Sequence, residues 1–452
     1  MTQERALAIL KTGANVFLTG EPGAGKTYVI NAYVDYLRAR DIEPEITAST
    51  GIAATHIGGM TIHAWSGIGV KKTLDKYELD KIASTEYLFR RVGRAKILII
   101  DEVSMLHAET LAMIDAVCRA IKNTSQPFGG LQVILVGDFF QLPPIVKKDQ
   151  TAPAEDALLS DYTTRFAYDS PAWARLKPAV CYLTEQHRQS DADLAAILTA
   201  IRRDVFSQDH RRQIAQRKIN SEAAPANAPK LFSHNVDVDR VNNEILDSLP
   251  TEPRDFEMIT KGRRALVESL QKGCLSPAVL QLKEGAAVIF TKNNSKEGFV
   301  NGTLGKVESF DDETGLPIVQ TRDRRRITVE PMDWTVEENG QIRARLTQLP
   351  LRLAWAITVH KSQGMSLDEA AMDLHDVFEY GQGYVALSRV RRLSGLHLLG
   401  WNERAFQVHP EVLEEDNVFR ARSEEAYLAF EKLGKDKIAE MHKNFIRAIA
   451  RP

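Results

Sequence analysis

The run Val16–Leu37, VFLTGEPGAGKTYVINAYVDYL, decides the fold of its half of the chain. Its first residues are apolar and β-prone, its middle is glycine-rich, and its end carries apolar positions at helical spacing. A strand, a tight loop and a helix in that order gather backbone N–H groups and a helix N-terminus around one point, where anions bind. Within it, Gly20–Thr27 (GEPGAGKT) fits the G-x-x-x-x-G-K-[ST] pattern of a phosphate-binding loop. Gly20, Gly23 and Gly25 let the backbone crowd around phosphates, with Ala24 between them. Lys26 offers a point charge to the β- and γ-phosphates, and Thr27 a hydroxyl to Mg²⁺.

Other runs repeat the theme. Glu45–Ala48 (EITA) leads into STGIAA, Lys96–Ile100 (KILII) ends at Asp101, and Val133–Val136 (VILV) ends at Gly137-Asp138. Short, continuously apolar strands followed by polar turns suit a parallel sheet covered on both faces, with ligands held at the strands' carboxyl ends. After the Ala/Pro-rich stretch 221–230 (SEAAPANAPK), Lys230–Ser233 and Ala354–Val359 read as strands of a second such sheet. Between these, Ala286–Phe290, Gly305–Ser309, Ile318–Thr321 and Arg326–Val329 are short strand-like pieces punctuated by turn residues, the texture of a small all-β insertion. In the charged tail, Leu428, Phe430, Leu433, Ile438 and Met441 lie near helical spacing and predict a packed helix.

Across 452 residues the composition is that of soluble globular proteins, 44% apolar and 26% charged. A formal net charge of −2 argues against a histone-like polyanion binder but leaves room for a local basic groove. The three cysteines, Cys118, Cys181 and Cys274, form no CxxC pair and read as small hydrophobes in a reducing compartment. No run is long and apolar enough to span a bilayer, and MTQERALAIL is no signal peptide. The expectation is a cytosolic protein.

Asp101 ends a hydrophobic strand and is placed to hold Mg²⁺, and Glu102 to polarise an attacking water. The pair gains its meaning from the phosphate loop, since a nucleotide hydrolase needs both parts. Gln141, in Gly137–Pro144 (GDFFQLPP), suits γ-phosphate sensing, or simply a Pro-stabilised turn. Arg188, in TEQHRQ, and Arg389, in YVALSRV, are candidate arginine fingers or surface ion-pair arginines.

This motif set resembles the Pif (petite integration frequency) family of DNA helicases, in the 5′→3′ branch of helicase superfamily one and related to RecD. The resemblance runs from Gln3 to about Trp401 and rests on Thr50–Trp65 (TGIAATHIGGMTIHAW), DEVSML, QPFGG, GDFFQLPP, FVNGTLGKV, VHKSQG and QGYVALSRV, in order. It implies an α/β fold of two RecA-like lobes with ATP between them. Residues 1–187 would form the first lobe, with a duplex-splitting wedge at 66–91. Residues 188–283 and 346–405 would form the second, interrupted at 284–345 by a Src-homology-type β-barrel, and 406–452 a helical tail. Gln3 would read adenine. Gln3, Lys26, Thr27, Asp101, Glu102 and Gln141 would belong to the first lobe, and Arg188, Gly364 and Arg389 would approach from the second.

The resemblance further implies a DNA groove. Thr50, Gly51 and His63 would line it on the first lobe, and His234, Asn235, His360, Lys361 and Ser362 on the second. Read alone, His63 and His360 look like ordinary satisfied histidines, and Arg322–Arg326 (RDRRR) like a solvated hairpin face. The expected cofactors are ATP and Mg²⁺. Expected partners are single-stranded DNA and tailed duplex, with G-quadruplexes as a further candidate and no membrane. The expected setting is a monomer in a bacterial cytosol or nucleoid, serving genome maintenance. A RecD- or relaxase-type helicase, or a phosphate-loop ATPase that remodels without strand separation, are the alternatives. VHKSQG and the β-insertion do not fit a clamp-loader-like ATPase, and the full set of nucleotide residues does not fit a non-enzymatic nucleic-acid binder.

Overall fold

A computed structural model of the chain describes residues 1–56, 59–69, 71, 73–144, 166–185, 191–220, 223, 225, 228–234, 238–294, 296–338 and 341–450. The chain divides into two compact units. One comprises Met1–Phe139, Pro143–Arg188 and Pro410–Pro452, the other Phe140–Leu142 and Gln189–His409.

The first unit is built on a six-stranded parallel sheet: β1 (Val16–Gly20), β2 (Glu45–Ala48), β3 (Met60–Thr61), β4 (Ile97–Asp101), β5 (Gln132–Val136) and β6 (Ala179–Leu183), in the order β3-β2-β4-β5-β1-β6. Alternate residues serve opposite faces, as the pleat requires. Val16, Leu18, Ile97, Ile99, Ile134, Val136, Cys181 and Leu183 pack with Ile9 and Leu10 of α1 (Gln3–Lys11) and with Tyr33, Val34 and Leu37 of α2 (Lys26–Arg38). On the other face Phe17 meets Phe139, Trp173 and Phe419, with centroids 5.5, 5.0 and 4.9 Å away. Burial on both faces explains why these strands read as unbroken apolar runs.

Phe419 comes from the tail helix Pro410–Ile449, which is interrupted at Gly434 (φ 72°) and groups with the first unit. It covers the outer edge of β6. Ser423 Oγ accepts from the Tyr182 N–H at 3.0 Å. The Tyr182 hydroxyl donates to Asp416 at 3.0 Å, and Arg420 bonds that carboxylate at 2.7 Å. Side-chain partners of this kind satisfy the edge groups a sheet otherwise exposes. The expected apolar stripe is therefore only partly right. Ile438 is buried and Phe430 packs partly buried against the core, but Leu428 and Leu433 are exposed, and of the five buried residues, Val412, Asp416, Phe419, Ser423 and Ile438, two are polar because they serve a strand edge.

Among the described residues, the segment 66–91 carries α5 (Lys76–Ser84) and most of α6 (Glu86–Arg94); α3 spans Gly51–His56, α4 Ile62–Ser66 and α7 Ala108–Lys122. A capping box, Asp75 with Glu78, starts α5. Lys71 pairs with Glu78, whereas Lys72 lies outside the described residues.

The second unit begins its strands with β7 (Lys230–Phe232). The strands β8 (Arg254–Glu257), β9 (Ile259–Gly262), β10 (Val279–Leu282), β11 (Ala287–Phe290), β12 (Leu304–Phe310), β13 (Pro317–Thr321), β14 (Arg326–Thr328), β15 (Met332–Glu338), β16 (Gln341–Gln348) and β17 (Leu351–Leu353) then form three antiparallel sheets. Their orders are β14-β13-β12-β11-β17, β15-β16-β9 and β10-β8. The pairing of β9 with β16 and of β8 with β10 carries the antiparallel region back to Arg254, earlier than the expected start at 284. Strands β18 (Ala356–Thr358), β19 (Ala370–Leu374) and β20 (Leu396–Trp401) join β7 in a parallel sheet of order β18-β7-β19-β20. The basic run 322–326 is largely neutralised. Arg322 pairs with Glu369 at 2.8 Å, Arg325 with Asp323 at 2.6 Å and Arg326 with Glu308 at 2.7 Å.

Candidate functional site

The carboxyl ends of β1, β4 and β5 lie on one edge of the parallel sheet and carry Gly20, Asp101 and Gly137. Gly20, Gly23 and Gly25 all have positive φ (147°, 88° and 88°), so the loop takes a path closed to most side chains. Gly25 caps α2 without a side-chain bond, which leaves the helix N–H groups to the loop's interior. Lys26 Nζ donates to the carbonyls of Gly20 and Glu21 at 2.7 and 3.2 Å, which places its ammonium over the loop. Thr27 follows, exposed at the start of α2.

Gln3 reaches this loop from α1. Its Nε2 donates to Ala24 O at 3.0 Å, and its own N–H donates to Glu185 Oε2 at 2.7 Å. The N-terminal ammonium donates to Tyr182 O at 2.8 Å, so the start of α1 is tied to the β6 edge. The sequence sets Gln3 and the loop many residues apart; the structure makes them neighbours.

Asp101 and Glu102 follow β4. Burial raises the Asp101 pKa, against the Glu102 N–H bond (2.8 Å to Oδ1) and the field of Lys26, both of which lower it. Glu102 has φ 50°, ψ 45°, a left-handed conformation unusual for a non-glycine residue and typical of functional turns. Ser49, at the end of β2, holds this turn. Its N–H donates to Asp101 O at 3.1 Å and its hydroxyl to Glu102 O at 2.7 Å. Thr50 comes next, its Oγ1 accepting from the Ala53 N–H at 3.2 Å, and Gly51 opens α3. His63 lies on α4, its pKa lowered by burial and then by His107. The sequence reading passed over Ser49, although it stands directly before Thr50 in STGIAA.

In the second unit the segment Phe140–Leu142 is held by its neighbours. Arg202, fully buried, lies over the Phe140 ring at 4.1 Å and donates to the Tyr384 hydroxyl at 3.2 Å. A Cβ on Gly381 would stand 2.5 Å from Phe140 O and 2.7 Å from Gln141 O, so only glycine admits this path. Gln141 Oε1 accepts from Gln363 Nε2 at 3.4 Å. Gln141 groups with the second unit, whereas the resemblance implies the first. Arg389 is buried, with Nε bonded to Val385 O (2.8 Å) and Nη2 to Ser388 Oγ (2.7 Å). Gly364 is exposed with φ 77°. Arg188 and Asn235 lie outside the described residues.

His234, His360, Lys361 and Ser362 come together just past the carboxyl ends of the adjacent parallel strands β7 and β18. Burial lowers the His360 pKa, with His234 as the second cause. It also lowers that of Lys361, followed by the nearby Arg352. Arg352 is itself buried and pairs with Asp239 at 3.5 Å. It opens the Arg352–Asp368 run (RLAWAITVHKSQGMSLD) that the resemblance includes, but nothing in the sequence marks it as a neighbour of Lys361. Ser362 is buried, its hydroxyl spent on Val359 O at 2.7 Å.

Residues 3–208 match the PIF1-like helicase family, and residues 265–310 the DNA helicase Pif1 2B domain. The chain is 39% identical to the ATP-dependent DNA helicase Pif1 of Psychrobacter sp., over 99% of this chain and 75% of that protein. It is 37% identical to human ATP-dependent DNA helicase PIF1, over 90% of this chain but only 61% of the longer relative. Bacteroides sp. Pif1 in complex with ADP-AlF4 superposes with a TM-score of 0.79 at 29% identity, covering 93% of this chain and 96% of that one. The Bacteroides enzyme with ADP-AlF3 and single-stranded DNA gives 0.63 at 28% identity, with the same coverage.

Proposed function

This chain belongs to the PIF1-like helicase family, and from that footing we propose that it is an ATP-driven helicase that moves 5′→3′ on single-stranded DNA and separates the duplex ahead of it. The observation that carries the reading is the double hydrogen bond of Ser49 to the backbone of Asp101 and Glu102. Ser49 adjoins Thr50 and Gly51, the candidate DNA contacts, so a strand gripped there acts directly on the turn that aims the hydrolytic carboxylates.

In this reading Gly20–Thr27 binds the triphosphate, Gln3 recognises adenine, and Glu102 takes the proton of the attacking water. Gln141, Arg188 and Arg389 sense the γ-phosphate, and Gly364 sits near the nucleotide. Mg²⁺ fits the donor set. The Thr27 hydroxyl and the desolvated Asp101 carboxylate are hard oxygen ligands, and Mg²⁺ is commonly held by one or two such groups plus phosphate oxygens. Among the described residues no cluster of three His, Cys, Asp or Glu side chains could hold a metal alone. When bound, the ion neutralises charge developing on the transferred phosphoryl group.

The Thr50–Gly51–His63 group and the His234–His360–Lys361 group, with Asn235 and Ser362, then grip the strand in alternation, one nucleotide per turnover. Residues 66–91 act as the wedge, 284–345 as the barrel insertion, and 1–187 with 188–283 and 346–405 as the RecA-like lobes. G-quadruplexes are further substrates, and the protein works from a monomeric, cytosolic pool. Among the described residues no helix is long and apolar enough to cross a membrane. The test is ATP hydrolysis with and without oligothymidine. Strong stimulation that falls steeply with salt is expected; hydrolysis indifferent to DNA contradicts the reading.

A further inference from the structure

Three adjacent parallel strands of the second unit, in the order β18-β7-β19, end on the same edge of their sheet. The first two ends carry His360 with Lys361, and His234. The third is followed by the turn 375–381, which no motif used above includes. That turn presents Phe378, 58% exposed, with its ring stacked on the His234 imidazole at 4.9 Å between centroids and 20° between planes. A single exposed apolar side chain is ordinary; what sets Phe378 apart is that its ring is stacked on a histidine of the adjacent strand end.

The turn is built to hold that ring in place. Gln382 is fully buried; its Nε2 donates to Ser233 O at 2.7 Å and its Oε1 accepts from the Phe378 N–H at 3.4 Å. One buried amide thus joins the His234 strand end to the Phe378 turn. Asn402 Nδ2 donates to His375 O and Val377 O at 2.8 and 2.7 Å, and His234 Nε2 lies 3.0 Å from Asp376 O. Charge across the three strand ends is graded. Lys361 and Arg352 stand by β18, whereas Asp376 and Glu379 flank Phe378. The Arg352 charge is shared with Asp239 at 3.5 Å, which leaves Lys361 as the cation for a phosphate and the Phe378 ring face for a base.

We propose that Phe378 is a nucleobase-stacking residue that, with His234 beneath it, extends the single-stranded DNA track of the second unit to the end of β19. The proposal rests on the helicase reading and adds to it a third contact station, one that reads a base face and not a phosphate. Stacking of a base on an aromatic side chain is worth about 5- to 150-fold in affinity.

The test compares Phe378→Ala, Phe378→Trp and the unaltered protein by anisotropy of a labelled oligothymidine and of an abasic oligomer of equal length, with thermal unfolding to verify the fold. Phe378→Ala should weaken oligothymidine binding within that range, leave abasic binding unchanged and keep the same salt slope, and Phe378→Trp should restore affinity. Equal oligothymidine affinity for Phe378→Ala and the unaltered protein overturns the proposal, as does an equal loss on the abasic strand. A protein that binds neither strand overturns the helicase reading itself.

Discussion

The side-chain amide of Gln3 donates to the carbonyl of Ala24 at 3.0 Å, and its nitrogen stands where a Cβ on Gly25 would lie. The adenine-reading candidate and the phosphate loop are thus one packed unit, with a glycine required at the contact. Gln3→Ala should lower the preference for ATP over GTP by about tenfold, the value of one to two hydrogen bonds, with kcat for ATP nearly kept. Gly25→Ala should be worse, because it both strains a residue at φ 88° and expels Gln3. Steady-state kinetics with both nucleotides measure this; unchanged selectivity in Gln3→Ala contradicts the assignment.

Glu102 and Ser49 separate chemistry from coupling. Glu102→Gln should cut turnover by at least about 100-fold, as loss of a general base does, with ATP still bound. Ser49→Ala removes the hydroxyl bond to Glu102 O and should lower DNA-stimulated kcat about fivefold, the value of one hydrogen bond. KM for ATP should stay within about twofold in Ser49→Ala. A KM effect without a kcat effect would show that Ser49 supports the nucleotide instead of the turn.

Burial holds the His63 and His360 pKa values below the ordinary 6.5. In the unfolded chain both take up protons near that ordinary value. Below it the unfolded state binds more protons, so folding stability falls as pH drops through and beneath about 6.5. Above it both are neutral in either state and the effect vanishes. The loss of Tm between pH 7 and pH 5 should be shallower in a His63→Asn/His360→Asn variant than in the unaltered protein. Parallel Tm profiles would show that these histidines do not titrate as their burial demands.

Phe419 ties the tail helix to the first unit's core through Phe17 at 4.9 Å and Phe139 at 5.9 Å. Phe419→Ala should cost about 3–5 kcal/mol, lowering Tm by roughly 6–20 °C at about 2–4 °C per kcal/mol. Calorimetry decides it: a drop of only a degree or two would mean that the tail is an appendage.

Much of the fold is legible in the sequence where strands are buried on both faces. Val16–Gly20, Glu45–Ala48, Ile97–Asp101 and Gln132–Val136 lie within a residue of where the apolar runs put them, and the phosphate loop follows from its glycines. What escaped the reading depends on partners distant in sequence. The polar stripe of Asp416 and Ser423 makes sense only beside Tyr182, and β8 to β10 only beside the strands they pair with. Phe140 lies under Arg202, sixty-two positions along the chain, a contact that no local pattern announces. Of the candidate site, the glycine path of the phosphate loop was legible because one motif concentrates it. Ser49 and Arg352 were not, because each acts through backbone or burial that no local pattern announces.

The central claim is directional motion on DNA. Its most direct test is unwinding of two duplexes alike except for the polarity of their single-stranded tail, with ATP and Mg²⁺ present. The account predicts strand separation of the 5′-tailed duplex and none of the 3′-tailed one. Equal unwinding of both, or of neither while ATP is hydrolysed, would contradict it.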